Sequence, residues 1–242
     1  MLNSKPRAAI IGGGFTGCAL ALDLQMRGFA VELFERGEIS AGTSGRTHGL
    51  LHSGGRYCVE DAEAGRECIQ ENRILRQIAK QCIEFNGGLF IALSDSDVAY
   101  GQQFASGAAE CGIETEELSA ARALSLEPNL NPALLMAYTV PDGAFDPLRL
   151  ALAFAATARR YGAEFHSYCE VKKLLRGAGG KISGVQYLNR HEDRLHDHEA
   201  DVIINATGAW AGSITSMVNV SVPVRPTPGV MVAYDQRLVQ RV

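Results

Sequence analysis

Glycines stand at Gly12, Gly14 and Gly17, between an apolar run, Ala8-Ala9-Ile10-Ile11, and a helical stretch from Phe15 to Arg27. Each position has a separate use in binding a diphosphate. Gly12 permits a tight turn, Gly14 lets phosphate approach the backbone, and Gly17 lets helix and strand pack closely. The anion then rests on the helix N-terminus, where unpaired N–H groups and the helix dipole favour negative charge. Glu35 follows 18 residues after Gly17, at the end of a second strand, Ala30–Phe34. A carboxylate there accepts hydrogen bonds from adenosine ribose hydroxyls and repels a 2′-phosphate, so a dinucleotide other than NADP is expected.

The elements that must position these residues read as a βαβ opening and therefore a parallel sheet. Gly28 closes the first helix in the usual position after its last turn. A glycine- and serine-rich loop runs from Gly37 to about Gly55, and 11 of the 26 glycines fall before residue 56, as expected of backbone packed against a ligand. A long helix is expected over 60–82, a strand over 89–93 and a helix over 98–111. Another strand follows at 134–140, leading into the turn Pro141-Asp142-Gly143. Pro147 starts a helix that Gly162 ends. Three extended runs, 165–175, 181–189 and 195–205, make a three-stranded meander with turns at Gly177–Gly180 and His191–Asp193. The strand Val202-Ile203-Ile204 delivers Asn205-Ala206-Thr207-Gly208, small residues that allow close approach to a flat ligand.

Composition excludes several classes. The 242 residues are 46% hydrophobic and 21% charged, with a formal net charge of −4 and no Lys/Arg run, which argues against nucleic acid as a partner. No stretch approaches the ~18 apolar residues of a membrane span, and the N-terminal apolar run is too short for a signal region. The six cysteines lack any framework and read as reduced thiols of a cytoplasmic protein. His191, His196 and His198 sit among Glu192, Asp193, Arg194 and Asp197 and read as a solvated hairpin, so no metal site is expected.

The fingerprint, the meander and the Ala206-Thr207-Gly208 turn together resemble the FAD-binding fold of the glutathione-reductase class. The segment from Ala41 through Arg46, His48 and Arg56 to Tyr57 narrows the likeness. It resembles the second flavin-contacting segment of FAD-dependent glycerol-3-phosphate dehydrogenases, within the D-amino-acid-oxidase-like superfamily, and is nearest the large subunit of the anaerobic bacterial enzyme. Asp61-Ala62-Glu63, Glu71-Asn72, Asn131-Pro132, Pro141-Asp142-Gly143 and Asn205–Gly208 continue it. The resemblance implies an interleaved α+β substrate domain beside the FAD-binding α/β domain. The FAD-binding domain would comprise residues 1–86 and 147–213, and the partial substrate domain 87–146 and 214–242.

It also implies site residues. Gly12, Gly13, Gly14, Phe15, Thr16 and Gly17 would hold FAD, with Glu35, Arg36 and Val171. Thr43, Ser44 and Arg46 would hold its diphosphate or lie against the flavin, joined by Ala206, Thr207 and Gly208. The stretch from His48 through Gly49 and Leu50 to His52 would run along the isoalloxazine. His52, Arg56 and Tyr57 would serve the substrate, since a guanidinium fork binds phosphate through paired charge-assisted hydrogen bonds. Two plainer readings stay open here: a structural histidine for His52 and a surface or domain-interface salt bridge for Arg56. The implied reaction is oxidation of sn-glycerol 3-phosphate to dihydroxyacetone phosphate, with electrons passed to a quinone or to iron–sulfur or flavin partner subunits. A peripheral contact with the cytoplasmic face of the inner membrane also stays open.

The chain departs from the family near its end. Pro228 and Val230 flank Gly229 where the family usually has lysine and serine. A 2-hydroxy acid or an amino acid is therefore an alternative substrate. The chain also ends short of the family's usual length and reads as C-terminally truncated, which leaves a third alternative, an inactive FAD-binding fragment.

Overall fold

The run Arg7–Ile11 forms the first strand, β1, and both of its faces are buried. Ala8 and Ile10 enter one core with Ala21, Val31, Leu33 and Ala158. Ala9 and Ile11 enter another with Phe34, Val171 and Val185. A strand covered on both sides belongs inside a parallel sheet, which explains its unbroken apolar sequence.

The computed structural model describes residues 5–242. After β1 come α1 (Phe15–Met26), β2 (Ala30–Phe34), a 3₁₀ turn (Thr43–Arg46), β3 (Leu50–Leu51), α2 (Ala62–Ile78), β4 (Ile83–Glu84) and β5 (Gly88–Ala92). There follow α3 (Asp95–Cys111), β6 (Glu117–Ser119), α4 (Ala120–Leu126), β7 (Met136–Val140), β8 (Gly143–Phe145) and α5 (Pro147–Arg160). The chain continues with β9 (Glu164–His166), β10 (Cys169–Arg176), β11 (Ile182–Asn189), β12 (Arg194–Glu199), β13 (Val202–Asn205) and α6 (Ala211–Thr215). These elements gather into two compact units, one of the residues up to Thr47 with Pro147–Met231, the other of His48–Asp146 with Val232–Val242.

The first unit is a parallel sheet in the order β13-β1-β2-β9. Helices α1 and α5 pack on one another, and the antiparallel meander β10-β11-β12 packs through the core that holds Phe34 and Val185. Gln25 fastens α1 from inside: its amide donates to the Tyr161 carbonyl and its oxygen accepts from the Val31 N–H. The expected meander is present with two differences. The run over 165–175 breaks at Tyr168 (φ 58°) into β9 and β10, and the run over 195–205 breaks at Ala200-Asp201 into β12 and β13. Each break moves the chain from one sheet to the other, which an uninterrupted extended pattern does not reveal.

The second unit holds two antiparallel three-stranded sheets, β3-β8-β4 and β5-β7-β6, with α2, α3 and α4. Its helices start where side chains cap them. Asp61 accepts from the Ala64 N–H, so α2 begins at Ala62, and Lys80–Cys82 is a separate 3₁₀ turn rather than the helix end expected from 60–82. Ser94 and Asp97 form a reciprocal capping box that starts α3 at Asp95, three residues earlier than the apolar pattern suggests.

One contact fixes α1 against β1. A Cβ built on Gly17 would lie 1.9 Å from the Gly12 carbonyl oxygen, a distance no side chain tolerates. Gly28 also requires glycine, through a φ of +94°, but has open space around it. Gly17→Ala should therefore lower unfolding stability by about 1–3 kcal/mol through forced backbone displacement, and Gly28→Ala by about 1 kcal/mol through conformational strain alone. Urea denaturation of both variants checks the ranking, and a smaller loss at Gly17 than at Gly28 would refute the packing argument.

Candidate functional site

Parallel pairing places three turns side by side. Ile11 pairs with both Phe34 and Asn205, so β1, β2 and β13 end level with one another. The Gly12 N–H donates to the Phe34 carbonyl at 2.9 Å, and the Ala206 N–H to the Ile11 carbonyl at 2.8 Å. Ligands of open α/β sheets bind outside these carboxyl ends.

The helix that follows is prepared for an anion. Gly14, at the N-cap of α1, provides no side-chain cap, and the first turn contains no acidic residue. A Cβ on Gly14 would meet only the Ser44 side chain, its hydroxyl 2.8 Å away. Ser44 Oγ accepts from the Phe15 N–H at 3.0 Å. Thus Ser44, from the 3₁₀ turn, stands beside the same N–H groups that the glycine fingerprint exposes. Thr16 and Gly17 complete this first turn.

Glu35 accepts from the Gly13 N–H at 2.7 Å and from the Gly37 N–H at 2.9 Å, one on each carboxylate oxygen. The carboxylate is thereby fixed at the end of β2. Its charge also reaches Cys18, whose thiol is pushed up to about 12, by burial first and by Glu35 second. That thiol is inert at neutral pH, and among the described residues all six cysteines are unbridged.

The other expected contacts are placed as follows. Arg36 lies 4.2 Å over the Trp210 ring, and a Cβ on Gly42 would approach that ring at 3.4 Å, so Trp210 joins two loops of the first unit. Arg46 turns its guanidinium onto the Ala41 and Gly42 carbonyls, which makes it a clasp of its own loop. Asn205 shapes the Ala206-Thr207-Gly208 turn: its Oδ1 accepts from the Thr207 hydroxyl at 2.6 Å, and its amide donates to the Ala211 carbonyl. Gly208 has a φ of +57° and open space around it. Val171 is buried in the core beside a bulge in β10, so only its backbone is available to a ligand.

The second unit contains a different construction. His52 Nδ1 lies 3.1 Å from Asp142 Oδ2, while Asp142 Oδ1 accepts from both the Ser53 N–H (2.7 Å) and the Ser53 hydroxyl (2.5 Å). Asp142 is buried. Burial alone raises a carboxyl pKa, but the hydrogen bonds from His52 and Ser53 outweigh it and hold Asp142 below the usual carboxylate range. Behind this group, Asn72 donates to the Pro141 and His52 carbonyls at 3.1 and 3.2 Å. Arg76, one turn along α2, donates to the Pro141 and Asp142 carbonyls at 2.9 and 3.0 Å.

His48 lies edge-on to His52, with centroids 5.4 Å apart, and its Nδ1 accepts from the Leu50 N–H across the Gly49 turn. Burial, then His52, then Arg56 lower its pKa, which keeps the ring neutral near pH 7. Arg56 and Tyr57 are exposed, and no acidic side chain among the described residues pairs with Arg56.

Sequence reasoning missed Asp142, Ser53, Asn72 and Arg76 as parts of this group. Asp142 reads from sequence as a turn residue within a segment of the family likeness, with no site role, and 90 positions separate it from its histidine. The available signal was a polar pair, Asn72 and Arg76, spaced to share one face of a helix.

The parallel sheet, uncapped glycine turn and fixed acid define a dinucleotide-binding α/β protein. The DAO family, FAD dependent oxidoreductases, matches residues 7–241, and the chain belongs to it. It is 44% identical, over its whole length, to an anaerobic glycerol-3-phosphate dehydrogenase subunit from Haloferax volcanii. It is 41% identical, over 96% of its length, to the anaerobic glycerol-3-phosphate dehydrogenase subunit of the same type from Escherichia coli strain K12. The chain spans 42% and 43% of those relatives. Among solved structures, L-proline dehydrogenase from P. horikoshii aligns with a TM-score of 0.75 at 26% identity, covering 90% of this chain and 57% of that one. The glycerol-3-phosphate dehydrogenase from Bacillus halodurans complexed with FAD aligns with a TM-score of 0.63 at 25% identity, covering 87% and 36%. The family is FAD-binding, and the Gly14 cradle beside Ser44, the α1 first turn without an acidic residue and Glu35 fit that cofactor. Among the described residues no helix is long and apolar enough to cross a membrane.

Because the folded Asp142 carboxyl is lowered, its stabilisation is present above the unfolded carboxylate pKa of about 4 and is lost as pH falls through the folded value. Asp142→Asn should cost about 1–3 kcal/mol at pH 7. Urea midpoints of the two proteins should converge as pH drops below about 4; a gap that stays constant with pH would refute the assignment.

Proposed function

We propose that this chain is the FAD-binding part of a dehydrogenase that oxidises sn-glycerol 3-phosphate to dihydroxyacetone phosphate. The single observation that carries this reading is the His52–Asp142 pair four residues before Arg56, which has no acidic partner among the described residues, in a chain 41–44% identical to proteins named for that activity. FAD, when bound, supplies the acceptor for the hydride leaving C2 of the substrate.

The chain's own residues bind, orient and move the proton. The Gly12–Gly17 turn, with Phe15, Thr16, Ser44 and Thr43, holds the diphosphate, and Glu35 holds the adenosine ribose. Arg36 and Arg46 stiffen the surrounding loops through Trp210 and the Ala41-Gly42 carbonyls. Ala206, Thr207 and Gly208 give the flavin close backbone approach.

His52 is the proton acceptor for the C2 hydroxyl. In the tautomer whose Nδ1–H donates to Asp142, Nε2 carries the lone pair that takes the proton. The Arg56 fork binds the substrate phosphate, with Tyr57 beside it. Electrons pass onward to a quinone or to partner subunits, a role in keeping with relatives named as one subunit of the anaerobic enzyme.

A second reading, oxidation of a 2-hydroxy acid or an amino acid, is favoured by Pro228 and Val230 around Gly229, where the resembling family has lysine and serine. Anaerobic addition of sn-glycerol 3-phosphate to the FAD-loaded protein should bleach the flavin band near ~450 nm. Arg56→Ala should raise the KM about 10- to 100-fold, the loss of a charged hydrogen-bond pair worth roughly 1.5–3 kcal/mol. Bleaching by carboxylate substrates alone would overturn the phosphate reading in favour of the second.

A further inference from the structure

Four side chains assigned no part in cofactor or substrate binding converge in the first unit. Strand pairing explains how. Glu32 of β2 is in register with Glu164 of β9, and Phe34 with His166, so the four project from one face of the parallel sheet. The meander meets that face, and β12 brings His198 to it, two residues beyond His196 on the same side of its strand.

His166 Nε2 lies 2.8 Å from Glu32 Oε2 and 4.0 Å from Glu164 Oε2. His198 Nδ1 lies 3.5 Å from the same Glu32 oxygen. The donor atoms of Glu32, Glu164 and His166 all fall within 4.8 Å of one another. The rings are held by packing: His166 stacks on Phe34 at 4.9 Å and 17°, and His198 packs on Phe34 at 5.3 Å.

Charge and donor type select the ligand. Two carboxylates face two imidazoles, and the nearest cation, Arg7, is turned to Glu199 and Asp201. An ordinary ion pair needs only Glu32 and His166; strand register brings Glu164 beside them, and the approach of His198 from the meander is the contact that an ion pair does not require. Two imidazole nitrogens with two carboxylate oxygens suit Zn²⁺ and its neighbours, whereas Ca²⁺ and Mg²⁺ take oxygen alone. Bonds of about 2.0–2.2 Å in a tetrahedron separate the ligands by about 3.3 Å. The 2.8 and 4.0 Å contacts of His166 bracket that value, and His198, outside the 4.8 Å group, approaches it through Glu32 at 3.5 Å.

We propose that Glu32, Glu164, His166 and His198 form a binding site for a divalent transition metal of the Zn²⁺ class, which fastens the edge strand β9 to β2 and β12. The sequence reading expected no metal and placed His198 in a solvated hairpin; the proposed ligands come from strands far apart in the chain.

Calorimetric titration of the untagged, chelator-stripped protein with Zn²⁺ tests this. One equivalent should bind, Ca²⁺ should give no heat, and Zn²⁺ should raise the thermal midpoint until chelator reverses it. His166→Ala and Glu32→Gln should each weaken binding at least tenfold. Glu164→Gln, at an exposed side chain that the fold does not need, should weaken it as well, while His191→Ala should leave it unchanged. Absence of saturable binding, or binding that all three ligand variants retain, would overturn the proposal.

Discussion

The first unit depends on the place where α1 crosses the end of β1, with Gly17 set against the Gly12 carbonyl. That contact permits no Cβ. It seats the helix N-terminus directly over the turn, so the backbone groups that a diphosphate would meet are those that close packing brings into position. Binding and folding therefore share atoms. The neighbouring strands extend the same constraint: β13 and β2 flank β1 in register, so Ala206 and Glu35 emerge beside Gly12 without any further device.

The second unit is organised around a buried charge. Asp142 is desolvated, a state that costs several kcal/mol unless hydrogen bonds replace water. His52 and Ser53 supply three of them. The same bonds fix the imidazole by its Nδ1, so satisfying the carboxylate and orienting the histidine are one event. His48, neutral and edge-on, adds no competing charge beside the pair.

What was legible in the sequence follows from the range of each interaction. The glycine turn, Glu35, the βαβ opening and the meander rest on local spacing, and each is readable from residues within about twenty positions of one another. The segment at 41–57 marks the family because its residue types are unusual together. The breaks at Tyr168 and Ala200-Asp201 were hidden, since an extended run looks alike whether it stays in one sheet or passes to a second. Short strands such as β3, β4 and β8, of two or three residues, carry no periodicity at all. The Asp142 and Glu32 clusters were hidden for a third reason: they join residues 90 to 166 positions apart, and no local pattern encodes a contact of that kind.

The brace behind His52 shows why such polar clusters persist in a core. Asn72 Oδ1 and Arg76 Nε are buried with no hydrogen-bond partner among the described residues, and each costs about 1–3 kcal/mol. Apolar residues at both positions remove that cost but strand the carbonyls of Leu51, His52, Pro141 and Asp142, which the two side chains serve. Four orphaned acceptors outweigh two orphaned atoms. The alternative is a chain with no buried turn at 141–142 to serve, and that chain has no carboxylate to hold His52. The imperfect brace is therefore a consequence of placing a buried acid against a histidine, rather than a defect in the packing around them.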